Sequence, residues 1–392
     1  MKKENGPMLE GIRVVDMSTV IFGPYCTQIL ADMGADVIKI EPAEGDSMRH
    51  TGRVAETPGM SGTHMTINRG KRSVTWDLRS ESGREAMRRL LESSDVFIHN
   101  VRADGIARLG LDYDAVRQIR PDIIYVHCVG FGMSGPYASM PAYDDVIQAA
   151  SGMASLLPRV DGDPNPRYFP MIIADKVSGL HAAYATLAAL VHKLRTGEGQ
   201  HVEVPMMEAL TSFTLLEHLG ERTFVPSIGN MLSPRVMNPK RKPARTKDGY
   251  IGITPYSDER WVAFFHAVGR SGVLEDPRLN SKALRTRHLD VMYELLAEVT
   301  PERTTDEWLA LLKQAGIPAM RVNDVEDLFD DPHLKAVGFF QDRHHPSEGN
   351  YVEVQPPVKF SARPEPRIGP APRLGQHSDD LLDELGMTER KA

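Results

Sequence analysis

Asp175 is the side chain whose setting in this sequence best suits covalent chemistry. It follows the apolar run Met171-Ile172-Ile173-Ala174 and precedes a long helical pattern that begins near Lys176. That order puts a carboxylate at a helix N-terminus beside a buried segment, and two chemistries fit it. An aspartate there can cap the helix by accepting a main-chain N–H that has no partner inside it. The same placement can instead keep a partly buried carboxylate ionised through the helix dipole, and an ionised carboxylate can attack an acyl carbon to form an acyl-enzyme.

Two sets of cations are the next candidates. Arg235, Lys240, Arg241, Lys242, Arg245 and Lys247 fall within 13 positions that hold no acid, which reads either as a solvated loop or as a patch that attracts an anionic substrate. Lys39, Arg49, Arg69, Lys71 and Arg72 are read as lying after the strands expected in the first domain, where open α/β sheets place ligands at the carboxyl ends. The 14 histidines are scattered, and His344-His345 reads as an exposed loop pair rather than a metal site. The run Asp16 to Pro24 supplies one glycine where a dinucleotide fingerprint needs three, so a bound nicotinamide carrier is disfavoured. A phosphate-binding Gly-rich loop ending in Lys-Ser/Thr, His-Glu-x-x-His, Gly-x-Ser-x-Gly and Cys-x-x-Cys are all missing, which removes the commonest NTPase, zinc and serine-hydrolase readings.

The elements that must position these groups can be read from periodicity. Residues 12–16 and 35–40 are strand-like and flank a helical stretch at 27–33, a βαβ unit. Further strands are expected over 73–78, 96–100 and 123–129, with amphipathic helices over 82–92 and 113–119 between them. This alternation predicts an α/β fold with a parallel sheet covered on both faces. From Tyr143 onward the pattern changes to long helices, over 144–157, 176–194 and 205–221, with a strand over 200–204. The division is therefore a large domain over 1–225, a linker or loop over 226–248, a small domain over 249–330, and a C-terminal segment over 331–392. The small domain should open with a strand over 250–254 and continue through helices near 258–269, 289–299 and 305–315 and a strand over 319–322. Pro356, Pro357, Pro364, Pro366, Pro370 and Pro372 keep the tail out of helix and central strand, so it should wrap another surface in extended form.

The chain has 392 residues and 41% hydrophobic side chains, enough for a sizeable core. Its formal charge of −7 argues against coating nucleic acid or an anionic membrane, so any polyanionic ligand must be held by a local patch. Cys26 and Cys128 are too few for a disulfide framework, and a reducing cytoplasm is expected. No apolar stretch follows the charged start, so no export signal is expected. The longest mostly apolar stretch, over 180–190, is about half of the roughly 20 residues a membrane span requires.

The sequence is also similar, block by block, to a known family. The blocks are Leu9-Glu10-Gly11-Ile12-Arg13-Val14-Val15-Asp16, Gly23-Pro24, Leu30-Ala31-Asp32-Met33-Gly34-Ala35-Asp36-Val37-Ile38-Lys39-Ile40-Glu41-Pro42 and Gly45-Asp46. They continue through Asn68-Arg69-Gly70-Lys71-Arg72-Ser73, Arg108-Leu109-Gly110, Gly130-Phe131-Gly132, Gln148-Ala149-Ala150-Ser151-Gly152, Ala174-Asp175 and Arg195-Thr196-Gly197-Glu198-Gly199-Gln200. The last are Thr246-Lys247-Asp248-Gly249-Tyr250 and Asp331-Pro332-His333-Leu334, so nearly the whole chain is covered. The pattern resembles the class III CoA-transferases, the group that includes formyl-CoA transferase and crotonobetainyl-CoA:carnitine CoA-transferase.

The resemblance implies a Rossmann-like large domain, a smaller α+β domain and an interlocked homodimer, and it makes Asp175 the nucleophile. The aspartate attacks the donor thioester to give a mixed anhydride, the CoA thiolate returns to give an aspartyl-CoA thioester, and the acceptor carboxylate then takes the acyl group and CoA in turn. No tightly bound cofactor or metal is implied; the partners are an acyl-CoA and a free carboxylic acid. By the same resemblance CoA contacts fall on Thr19, Val20, Ile21 and Phe22, on Arg72, Ser73 and Val74, on Asn100 and Val101, and on Arg108. The racemase branch of the family uses a histidine in Gly-His-Asp, where this chain has Ala142-Tyr143-Asp144. A phenol, titrating in water at about 10, shuttles protons poorly at pH 7 beside an imidazole at about 6.5. The transferase reading is therefore preferred, with Tyr143 as a hydrogen-bonding site residue, over a CoA-thioester racemase or a silent CoA-binding homologue. Ile21 replaces a glutamine of some formyl-CoA transferases and the basic stretch near 231–245 replaces their glycine-rich loop, which argues against oxalate or formate. The basic loop suggests a dicarboxylic acyl group such as succinyl.

Overall fold

The computed structural model of the chain describes residues 6–361 and 368–387. Contacts divide the chain into two compact units, one of Met1–Ala154, Tyr168–Thr214 and Ala336–Ala392, the other of Ser155–Arg167 and Leu215–Lys335.

In the larger unit six short strands form one parallel sheet: β1 (Arg13–Met17), β2 (Asp36–Glu41), β3 (Lys71–Thr75), β4 (Val96–His99), β5 (Ile124–Val129) and β6 (Gln200–Pro205). Their order, β3-β2-β1-β4-β5-β6, is that of a Rossmann-like sheet, with the direction of winding reversing between β1 and β4. Consecutive residues of a strand face opposite sides, so Val14 packs into one core cluster and Val15 into the other, and both are fully buried. One cluster lies under helices Phe22–Asp32 and Ile173–Thr196, through Phe22, Leu30, Ala174 and Ala182. The other holds Met87 and Leu90 of helix Glu81–Glu92 together with Val116 and Leu381.

A sheet buried on both faces leaves little room for bare charge. Lys71 pairs with Asp16 at 3.1 Å, Lys39 with Asp46 at 3.0 Å, Arg49 with Glu41 at 2.6 Å and Arg69 with Asp32 at 2.7 Å. Arg72 pairs with Asp36 at 2.6 Å and Glu384 at 2.8 Å. All five cations expected as a ligand-attracting set are thus paired, Lys39, Arg49, Arg69 and Lys71 inside the fold, where a buried charge persists only when paired, and Arg72 in a partly exposed cluster.

The described tail adheres to β3 and its surroundings. Gly70 N–H donates to Gly369 O, His377 N–H to Ser73 O, and Leu381 of helix Ser378–Glu384 enters the core. Residues 362–367, which include Pro364 and Pro366, lie outside the described residues. The tail is preceded by an unforeseen hairpin of β10 (Phe340–His345) and β11 (Gly349–Val354). Side-chain alternation there separates the two neighbouring histidines: His344 is exposed, but His345 is buried and bonded to Ala371 O at 2.8 Å, so the pair is not an exposed loop.

The smaller unit has a three-stranded antiparallel sheet of β7 (Ala244–Arg245), β8 (Tyr250–Ile253) and β9 (Ala319–Arg321). Trp261, Phe264, Phe265 and Trp308 centre its core, and Thr304 with Glu307 forms a capping box at the start of helix Thr305–Gln314. The expected helix over 144–157 is instead broken into Asp144–Ala150, Met153–Ser155 and Pro158–Asp161. Among the described residues no helix is long and apolar enough to cross a membrane.

Candidate active site

Helix Ile173–Thr196 begins three residues earlier than expected from the sequence, so Asp175 is its third residue, and its N-cap, Ile172, offers no side-chain cap. Asp175 therefore is not the cap. Asp144 does that work from another element: its Oδ2 accepts the N–H of Ala174 at 2.6 Å and of Asp175 at 3.1 Å. Gln148, one turn further along helix Asp144–Ala150, donates to Asp144 Oδ1 at 2.6 Å and accepts Phe169 N–H at 2.9 Å. Asp144 and Gln148 share a helix face by their i, i+4 spacing, so together they fix the approach to the helix.

The Asp175 side chain reaches the start of helix Phe22–Asp32, where its Oδ1 accepts Phe22 N–H at 3.1 Å. Gly179 makes the approach of the two helices possible: a Cβ there would stand 2.9 Å from Phe22 O and 3.0 Å from the Tyr25 ring. Among the described residues no second side chain or N–H donates to Asp175, so Oδ2 accepts no hydrogen bond from the protein. Burial, then the neighbouring Asp144 charge, push its pKa up to about 6, while the Phe22 N–H pulls the other way. At pH 7 the group is then roughly nine-tenths ionised, a carboxylate more basic than one in water and still anionic.

Phe22 ends the loop after β1, at the carboxyl edge of the sheet beside the reversal point. Thr19 N–H donates to Asn100 Oδ1 at 3.0 Å and Asn100 Nδ2 donates to Thr19 O at 2.9 Å, which ties this loop to the end of β4. Val101 O accepts from His127 at 3.0 Å. The structure thus brings together Thr19, Val20, Ile21, Phe22, Asn100 and Asp175. Tyr143, the residue before Asp144, is 70% exposed. Arg108 is exposed and pairs with Asp104 at 3.0 Å within its own helix. Arg72 is turned to Asp36 and Glu384, Ser73 is enclosed and donates to Glu41 at 2.7 Å, and Val74 is core.

A family model for CoA-transferase family III matches residues 9–378. The chain belongs to that family. The succinate–glutarate CoA-transferase of Agrobacterium fabrum is 32% identical, covering 98% of each chain. The (R)-2-hydroxy-4-methylpentanoate CoA-transferase of Clostridioides difficile is 31% identical over 98% of this chain and 97% of its own. A crystal structure of a CAIB/BAIF family protein from Brucella suis matches at 31% identity with a TM-score of 0.81, over 97% of this chain and all of the other. This family III member is an acyl-CoA:carboxylate CoA-transferase, acting on CoA thioesters and carboxylic acids.

The smaller unit of the transferase contains a cavity of about 960 Å³ lined by Arg235, Lys240, Arg241, Lys242 and Arg245, with Tyr250, Tyr256, Trp261 and Tyr293 as aromatic walls. Lys240 is paired with Glu294 and Arg235 lies over the Tyr256 ring at 4.7 Å. Among the described residues Arg241, Lys242 and Arg245 have no acid within ion-pair distance, so the cavity is positive. Lys247, the last of the basic set, does not line it.

Proposed function

We propose that this enzyme moves CoA from an acyl-CoA donor to a free carboxylic acid through covalent intermediates on Asp175. Asp175 Oδ2 attacks the donor thioester carbonyl, the C–S bond breaks, and CoA leaves as its thiolate with a mixed anhydride formed. The thiolate attacks Cγ of Asp175, releasing the donor acid as its carboxylate and leaving an aspartyl-CoA thioester. The acceptor carboxylate attacks the same Cγ and expels the thiolate again, forming a second anhydride. The thiolate then takes the acceptor acyl group, and Asp175 returns as a carboxylate. Every step exchanges one activated acyl for another, so no ATP is consumed.

The observation that carries this reading is Asp175 itself: 6% exposed, held on one oxygen by Phe22 N–H and free on the other. Its raised pKa adds basicity without loss of charge at neutral pH. CoA is assigned to the loop from Thr19 to Phe22, to Asn100–Val101 and to Arg108, because a Rossmann-like sheet offers its ligand crevice at that edge. Tyr143, exposed before the capping Asp144, serves as a hydrogen-bonding group rather than a proton relay.

For the acids, a dicarboxylic acyl group such as succinyl is favoured, with the positive cavity drawing dianions toward the protein. A relative named for succinate and glutarate supports the choice. The transferase is further proposed to be a cytoplasmic, interlocked homodimer. Leu180, Tyr184 and Val191 form an exposed apolar stripe on helix Ile173–Thr196 (49%, 59% and 55%), suited to a second copy. Incubation with succinyl-CoA followed by hydroxylamine, with the modified peptide located by mass, tests the covalent step. A hydroxamate at Asp175 supports it, and label on no residue refutes it.

A further inference from the structure

Val20 is one of two non-glycine residues with positive φ among the described residues, at +69°. A β-branched side chain in that region is strained and persists only where its surroundings over-determine it. Here each residue of the turn is gripped from a distant element. Lys39 Nζ donates to Ser18 O at 2.7 Å, Asn100 takes both the N–H and the C=O of Thr19, and Val20 N–H donates to Asp46 Oδ1 at 3.2 Å. Lys39 and Asp46 are fully buried and paired with each other at 3.0 Å, so the grips from β2 and from the following loop are one unit. Two residues beyond Val20, Phe22 N–H meets Asp175 Oδ1 at 3.1 Å.

We infer that Lys39, Asp46 and Asn100 are positioning residues for acyl transfer, holding Val20 in its left-handed conformation so that Phe22 N–H is aimed at the Asp175 carboxylate. A helix N-terminal N–H can point at a carboxylate from many loops, but a strained valine needs a reason to remain strained. The reason available here is the direction of the two residues that follow it. The inference rests on Asp175 being the nucleophile and adds what sets its orientation and charge.

The test is Asn100→Ala, alone and with Val20→Gly, assayed for kcat per folded molecule across pH with succinyl-CoA as donor. Releasing the grip weakens the Phe22 bond, which favours the carboxylate, so the acid limb of kcat should move to higher pH. Loss of one well-aimed polar contact should lower kcat by about tenfold to a hundredfold. Glycine adopts positive φ without strain, so Val20→Gly in the same chain should restore part of kcat and return the limb toward its original pH. A merely structural Asn100 would lower the melting temperature and leave both readouts of the folded enzyme unchanged, and that result overturns the inference. If Asn100→Ala does not fold, Asn100→Asp, which keeps the acceptor for Thr19 but sets a carboxylate oxygen against its carbonyl, carries the same expectation. Hydroxylamine trapping on the parent enzyme separates the two readings. An Asp175 adduct with unaltered Asn100 variants removes this inference alone, and no adduct removes both.

Discussion

Asp144 Oδ2 accepts the main-chain N–H of Asp175 at 3.1 Å, so one acid caps the helix that carries the other. Two effects follow, of opposite use to the site. The cap fixes the turn that aims Asp175, and the charge it brings raises the Asp175 pKa, second only to burial.

Asp144→Asn separates them. The amide keeps one acceptor for the N–H groups but removes the charge, so the acid limb of kcat should shift to lower pH. Asp144→Ala removes the cap as well and should lower stability by about 0.5–2 kcal/mol. An unmoved limb in a folded Asp144→Asn enzyme would mean that the two carboxylates do not feel each other.

In the proposed mechanism Asp175 attacks as its carboxylate, so kcat/KM should fall below a pH of about 6 with a slope of one proton. Stability runs the other way. The folded pKa is raised above its ordinary 3.8, so the group's favourable contribution is complete below that value and is lost as pH rises to about 6. Asp175→Asn should therefore be inactive yet more stable than the parent at pH 8, by on the order of 1–3 kcal/mol, with the gain shrinking toward pH 4. Equal melting temperatures of the two at both pH values would deny that burial strains the ionised carboxylate.

Tyr143 in place of a histidine is expected to leave the enzyme unable to exchange the α-hydrogen of a chiral 2-methylacyl-CoA in deuterated water. Tyr143→Phe should slow transfer by less than about tenfold, the effect of one neutral hydrogen bond. Rapid α-deuteration would instead identify a racemase.

Charge reversal at Arg241 and Lys242 should raise KM for succinyl-CoA more than for acetyl-CoA at low salt. The gap should narrow as ionic strength rises, since screening shortens the reach of charge to about 10 Å at 0.1 M. Equal turnover of acetyl-CoA and succinyl-CoA by the parent enzyme at low salt contradicts a dicarboxylate preference.

Much of the sheet was legible because its strands are short runs built on β-branched residues: 12–16, 35–40 and 123–129 match β1, β2 and β5. The hairpin was not, since β10 reads Phe-Gln-Asp-Arg-His-His and offers no apolar alternation. Asp175 could be picked out from its neighbours, but the cap on its helix could not, because Asp144 lies 31 residues away. The same limit hid the neutralised cations. Lys71 meets Asp16 across 55 residues, a partnership set by β3 and β1, which the sheet places on either side of β2.

If Asp175 carries the acyl group and CoA in turn, as proposed, borohydride reduction during turnover with succinyl-CoA should capture it. Reduction of an aspartyl-CoA thioester leaves homoserine at position 175, detectable by peptide mass, with loss of activity in proportion. Asp175→Ala should give no such product and should lose far more than tenfold in kcat, a barrier increase well above about 1.4 kcal/mol. An unmodified position 175 in the parent, together with a folded Asp175→Ala enzyme that keeps about a tenth or more of parental kcat, would contradict covalent catalysis by this residue.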